Sequence, residues 1–295
     1  MKQLMPPVKL ALGTVQFGLN YGVANHRGQI GLDQARAIVA IAHSSGIDTL
    51  DTAIDYGQSE ATLGQLDLNS FKLITKLPAL PAGCPDVAGW VETQLIGSFE
   101  RLACSSVHGL LFHRPEQLLG EQGPALYRAL SELKRQGLVS KIGVSIYEPQ
   151  ELDRLFDEMH FDLVQAPFNL LDARLLASGW LQRLPALGSE LHVRSVFMQG
   201  LLLMPADERP AKFSRWEPLW REWHDWLQLT GLTPVQACLR HALEFTEISR
   251  IVVGVDSAQQ LQEIVQAASG ALPEIPSTLR SSDPDLLNPS RWNQL

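Results

Sequence analysis

At 295 residues, with 45% apolar and 19% charged side chains, the chain has the composition of a globular protein able to bury a sizeable core. Its net charge of −8, with no run of Lys or Arg longer than a pair, argues against a nucleic-acid-binding face, which needs concentrated positive charge. Three cysteines, Cys84, Cys104 and Cys238, are odd in number and far apart, so neither a disulfide framework nor a metal-ligand pair is read from them.

The opening residues MKQLMPPVKLALG lack the continuous apolar stretch of a secretory signal. No run of ~18 apolar residues occurs that would span a bilayer. The expectation is a cytoplasmic protein without a membrane partner.

Along the chain, short apolar runs alternate with longer stretches of 3.6-residue periodicity. Lys9–Leu12 reads as the first strand. Asp33–Ser45 follows as a helix, with Ala35, Ile38, Val39 and Ala42 on one stripe and Gly46 placed to stop it. Strands Asp48–Leu50 and Lys72–Thr75 come next, then a helix over Asp86–Leu102 carrying Val91, Leu95, Phe99 and Leu102. Strand Val107–Phe112 leads to a helix over Gly123–Gln136 that ends at Gly137. Further strands are read at Lys141–Val144, Leu163–Val164, His192–Val196 and Arg250–Val253, before a last helix over Ala258–Ser269.

Eight strands alternating with helices predict an α/β fold, a (β/α)8 TIM barrel built as a single domain over residues 1–295. Two segments stand outside the repeat. Met198–Arg215 is long for a β–α loop, and the tail Leu272–Leu295 has four prolines and little periodicity, as a segment wrapping the rim would. Trp216, Trp220 and Trp223 share one helical stripe and read as core.

In such a barrel the active site lies at the C-terminal ends of the strands. The residues there are Asp51, Lys76, His113, Ser145, Gln165, Arg194 with Ser195, and Gly254; Tyr56 follows Asp51 by five positions. Ionisable residues ending three consecutive strands are unusual, because a barrel core favours branched apolar side chains and tolerates buried charge only when it is paired.

The segments LALGTVQFG, DTAIDYGQSEATLG, ITKLP, LLFHRP, QGLVSKIGVS, LVQAPFNLLD and VVGVDSAQQLQE, in this order over about residues 8–265, resemble the aldo-keto reductase family. The resemblance implies an oxidoreductase using NADP(H) or NAD(H) to reduce an aldehyde or ketone, sugar-derived carbonyls included. It implies Tyr56 as general acid, Asp51 and Lys76 as its electrostatic support, and His113 orienting the carbonyl. On this reading the Lys76 ammonium lowers the pKa of the phenol, ordinarily about 10, toward neutrality.

For the cofactor, the resemblance places Ser145 and Gln165 at the carboxamide, although Ile146 stands where the family usually has Asn. Arg194 stands at the place of an aromatic that stacks on the nicotinamide, with Ser195 and Phe197 beside it. The Gln199–Leu202 loop, including Gly200, is expected over the pyrophosphate. Gly254, Asp256, Ser257 and Gln260 lead into a helix N-terminus suited to phosphate. Asp256 and Gln260, where NADP-dependent members carry Lys or Arg, leave NAD(H) as an equal candidate. A substrate pocket is expected around Phe17, Trp90, Arg114, the long loop and the tail. Two other functions compete with this one: a non-catalytic nucleotide-binding regulatory subunit, and a metal-dependent barrel enzyme, for which only Asp51 and His113 offer strand-end ligands.

Overall fold

The computed structural model describes residues 9–25 and 27–295. The apolar runs become eight parallel strands of one sheet, and that sheet closes on itself in sequential order. They are β1 (Leu10–Gly13), β2 (Thr49–Asp51), β3 (Lys72–Leu77), β4 (Val107–Phe112), β5 (Val139–Ser145), β6 (Leu163–Pro167), β7 (Glu190–Arg194) and β8 (Ile248–Gly254). Outside them lie α1 (Leu32–Ser44), α2 (Ser59–Leu63), α3 (Val87–Leu102), α4 (Gly123–Arg135), α5 (Gln150–Glu158) and α6 (Arg174–Ala177). Then come α7 (Trp180–Ala186), α8 (Glu217–Thr230), α9 (Pro234–Leu243), α10 (Ala258–Ala267) and α11 (Pro284–Leu287). This is a (β/α)8 barrel. Among the described residues no helix is long and apolar enough to cross a membrane.

The expected elements form close to their expected bounds, for local reasons. Asp86 caps α3 by accepting from the Gly89 amide, and α9 opens with a reciprocal capping box between Thr233 and Gln236. Strand β7 stops at Arg194, two residues short of expectation, because Ser195 turns to a φ of 61° and leaves the ladder. The long segment after it is not open loop. It packs as three short 3-10 turns (Met198–Leu203, Ala206–Glu208 and Ala211–Trp216) against the tryptophans of α8. Trp220 and Trp223 are fully buried as expected, and their indole N–H groups also serve this segment, donating to the Phe213 and Leu202 carbonyls. The tail buries Leu279, Leu286, Leu287 and Trp292, and Ser281 N–H bonds to the Leu171 carbonyl beyond β6.

Because side chains two apart on a strand share a face, each strand aims one series into the barrel. Ile74, Leu111 and Leu163 form an apolar plug there, separate from the larger core between strands and helices. The bore is narrow enough to require glycine on two strands: a Cβ at Gly143 would fall 1.9 Å from the Leu163 carbonyl, and one at Gly109 2.7 Å from Ile74. Below the plug the barrel is closed by charge. Asp48 pairs with Lys72 and Arg250, and Glu190 with Lys141 and His192. Polar side chains above the plug therefore lie at the C-terminal mouth.

Outside the barrel, His241 of α9 stacks on Phe168 (5.2 Å, 10°) and meets Phe245 edge-on, with its Nδ1 buried and without a partner among the described residues. Burial, reinforced by Arg280, pushes its pKa down to about 4. The unfolded chain, with His near 6.5, takes up a proton in this window that the folded chain refuses. The stability is therefore complete above about pH 6.5 and drains away as pH falls toward 4. The His241→Phe variant should lose Tm less steeply than wild type on acidification from about pH 7 to pH 5; parallel curves would place the acid sensitivity elsewhere.

Candidate active site

Inward positions near the C-terminal ends of β2, β3, β5 and β6 carry polar side chains that bond to one another. Lys76, fully buried, donates to Asp51 Oδ1 (2.7 Å) and to the Thr52 carbonyl (2.9 Å). The other carboxylate oxygen of Asp51 accepts from Gln165 Nε2 (2.7 Å), and Gln165 Oε1 accepts from Ser145 Oγ (3.4 Å). Strands β2 and β6 are not neighbours in the sheet, so the Asp51–Gln165 bond crosses the barrel above the plug. Burial pulls the Lys76 pKa down while Asp51 pulls it back, and the ion pair as a whole is close to neutral.

Tyr56 hangs over this pair from the loop after β2. The chain crosses itself closely there: a Cβ at Gly18 would lie 1.7 Å from the Tyr56 carbonyl, and Gly57 takes a φ of 55° against Gly18. Ser59 then fastens the loop to β1, donating to the Thr14 carbonyl and lying 2.9 Å from the Thr14 and Thr52 hydroxyls. Glu60, buried at the start of α2, accepts from Thr75, Ser98 and Arg101 and ties α2 to β3 and α3. The His113 ring meets the Tyr56 ring edge-on at 5.7 Å, and Lys76 Nζ is 5.1 Å from the Tyr56 centroid.

The electrostatics differ from the expectation for Tyr56. Its pKa is raised above the ordinary phenol value, first by burial and then by Asp51, with Arg194 opposing. The hydrogen bonds of Lys76 are directed at Asp51 and Thr52. Tyr56 therefore keeps its proton across the physiological range. His113 is pushed down to about 3 by burial, with Lys76, Arg194 and Arg114 adding, so its imidazole is neutral. A neutral N–H donor and a protonated phenol thus face the same space.

That space is a cavity of about 360 Å³ running from Tyr56 and His113 to the start of α10. Its roof is made by two loops that hold each other: Val23 N–H donates to the Gln199 carbonyl and Gln199 Nε2 to the Tyr21 hydroxyl. Of the four non-glycine residues with positive φ among the described residues, three (Ser195, Met198, Gln199) lie in this roof, followed by Gly200 at 92°. Such backbone strain is held by its surroundings and concentrates at functional sites.

Two buried acceptors on the cavity wall, Gln16 Oε1 and Asp256 Oδ1, have no partner among the described residues. A bound molecule with hydroxyl or amide donors would satisfy both. Burial raises the Asp256 pKa, with Arg27 opposing. The residues present fit a nicotinamide dinucleotide: a polar floor, orphaned acceptors along the wall, and the N-terminus of α10 at the far end.

Of the residues expected from the sequence, Asp51, Tyr56, His113, Gln165, Arg194, Ser195, Phe197, Gly200, Gly254, Asp256 and Gln260 line the cavity. Lys76 and Ser145 lie beneath its floor. Ser257 instead caps α10 by accepting from the Gln260 amide, while Gln260 Oε1 accepts from the Asp256 N–H. The cap thus belongs to Ser257 and not to Asp256. Phe17, expected near the substrate, is fully buried in the core. Gln16, Tyr21, Asn25, Tyr147 and Glu263 line the cavity without having been singled out. Arg194 rests its guanidinium over the Tyr147 ring (4.6 Å) and donates to the Ile146 carbonyl (2.9 Å). Among the described residues no group of three or more His, Cys, Asp or Glu side chains is gathered as a metal site would require.

Comparison with known proteins agrees with this architecture. A Corynebacterium sp. protein named 2,5-diketo-D-gluconic acid reductase B is 24% identical over 233 residues, covering 74% of this chain and 72% of its own. Among solved structures, an aldo-keto reductase of Bacillus halodurans in its holo form superposes with a TM-score of 0.71 at 18% identity, over 90% of this chain and 88% of that one. The glycerol dehydrogenase of Gluconobacter oxydans gives 0.69 at 19% identity, over 92% and 89%. At these identities the structural likeness speaks for the fold. The aldo/keto reductase family model matches residues 9–275, and the chain belongs to that family.

Proposed function

We propose that this protein is a nicotinamide-dependent carbonyl reductase in which Tyr56 is the general acid. The observation that carries the reading is the meeting, in one cavity, of a phenol that keeps its proton with a neutral His113, above the buried Lys76–Asp51 pair. When bound, the reduced nicotinamide supplies the hydride, which no side chain can. His113 donates a hydrogen bond to the substrate carbonyl oxygen and stabilises the negative charge that develops there. Tyr56 Oη then delivers its proton to that oxygen, giving the alcohol, and is reprotonated from solvent. Lys76, held by Asp51, steadies the phenolate formed in passing, although its charge does not prevail in the resting protein. Gln165 and Ser145 fix Asp51 from the far side of the barrel. The substrate class is an aldehyde or ketone, sugar-derived carbonyls included; the printed name of the Corynebacterium relative supports the latter.

The wall around the start of α10 bears on which nucleotide is used. Asp256 and Glu263 both line the cavity there. A carboxylate opposes a 2′-phosphate but accepts from a 2′-hydroxyl, so we assign NAD(H) as the preferred cofactor.

The Tyr56→Phe variant should lose kcat by roughly 10²–10⁴-fold in carbonyl reduction while binding the nucleotide as before; substantial turnover at saturating cofactor would remove Tyr56 from the reaction. Lys76→Met strands a buried carboxylate, and should cost about 3–5 kcal/mol of stability by denaturant titration. Adding Asp51→Asn should restore much of that stability without restoring activity, and a double variant no more stable than the single would show that the pair is not the source of the cost. Asp256→Ser should shift the ratio of dissociation constants toward NADPH by about 1 kcal/mol, roughly fivefold. An unchanged ratio measured by fluorescence titration would mean that Asp256 does not choose the cofactor.

A further inference from the structure

The two ends of the cavity carry different side chains: Asp256 and Glu263 line the end at α10, and Arg194 lines the end beside Tyr56. Asp51 and Lys76 lie 2.7 Å apart and cancel; Tyr56 and His113 are both uncharged. Of the side chains lining that end, Arg194 alone keeps a formal charge without a carboxylate against it. Its hydrogen bonds go to the Ile146 carbonyl and the Ser195 hydroxyl, and among the described residues no Asp or Glu oxygen lies within 4.0 Å of its guanidinium. Stacking on Tyr147 holds it in place without neutralising it. Outside the lining, Asp55 lies 3.9 Å from His113 and Arg114 acts on the same imidazole, so the flanking charges offset each other in sign. The field of Arg194 reaches Tyr56, Lys76 and His113, each of which it biases toward its less positive form.

This bears on the cofactor of the reaction proposed above, on which the inference rests. Hydride and proton go to adjacent atoms of one carbonyl, so the reacting ring must come within bonding reach of the space in front of Tyr56 and His113. The oxidised ring carries one positive charge that the reduced ring lacks. We infer that Arg194 sets the redox form of the nucleotide that the site retains, holding the reduced form and expelling the oxidised one. In a water-poor pocket like charges within several ångströms repel far more strongly than in bulk solvent. The protein would therefore run in the reducing direction with little inhibition by its own spent nucleotide.

The test is direct binding to the full chain. Dissociation constants for NAD⁺ and NADH, and for NADP⁺ and NADPH, are measured by calorimetry for wild type, Arg194→Lys, Arg194→Gln and Arg194→Met. Wild type should hold the reduced form roughly tenfold or more tighter than the oxidised. Arg194→Lys, which keeps the charge and loses the flat guanidinium, should retain the preference. Both neutral variants should bring the two constants within about threefold, and using two of them guards against one failing to fold. A wild type without preference, a neutral variant that keeps it, or a Lys variant that loses it as fully as Gln would each overturn the inference. If both redox forms bind but indifferently, the inference alone fails; if neither binds wild type, the reductase reading falls with it.

Discussion

Everything at the mouth of this barrel hangs on placing an ammonium and a carboxylate in a space from which water is excluded. Lys76 is wholly buried and Asp51 nearly so. Each would be costly alone, and their mutual attraction offsets the loss of hydration only if every remaining hydrogen-bonding site is also met. Much of this is met: Thr52 takes a second proton of Lys76 and Gln165 serves the second oxygen of Asp51. Because Gln165 comes from the opposite wall, the pair is also a crossbar. It ties β2, β3 and β6 at the level where the apolar plug ends, and makes a rigid floor on which Tyr56 and His113 stand. Apolar plug below and polar crossbar above divide one bore into a stabilising half and a half free for chemistry.

Much of this was legible in the sequence because a strand repeats every two residues. Once Ile74 is recognised as inward, Lys76 must be inward also; the same step carries Leu163 to Gln165 and Gly143 to Ser145. Residues at strand ends were therefore found from register. Loop residues follow from a motif instead, as Tyr56 and Asp256 do. Tyr147, in a loop, and Glu263, on α10, reach the cavity by routes that depend on how Arg194 lies and how α10 is set. Phe17 was misplaced for the related reason that an aromatic in a loop can turn either way. The pKa of Tyr56 was misjudged because it is a sum: proximity to Lys76 can be read from a motif, but burial and the competing claim of Asp51 cannot. Asp256 and Ser257 divide the tasks of lining and capping in a way that one residue of helix phase decides.

The roof follows a different logic from the floor. The floor is held by buried charge and cannot move without exposing it. The roof consists of two loops, Ser195 to Gly200, which carries the unfavourable backbone conformations, and Tyr21 to Asn25, and each leans on the other through Gln199. A fixed floor and a mutually braced roof suit a site that must position atoms closely and still admit a large ligand.

The α8 tryptophans add a property that packing alone would not suggest. Trp223 sits fully buried with its indole N–H on the Leu202 carbonyl, inside the same 3-10 turn that carries Gln199 and Gly200, and its ring stacks against Trp226 at 5.8 Å. Indole emission responds to the hydrogen bond at its nitrogen and to nearby rings. A displacement of the roof large enough to disturb Leu202 is thereby coupled to a chromophore with no surface of its own, shielded from solvent and from added quenchers. Trp223 is thus an optical reporter on the roof, placed directly beneath it.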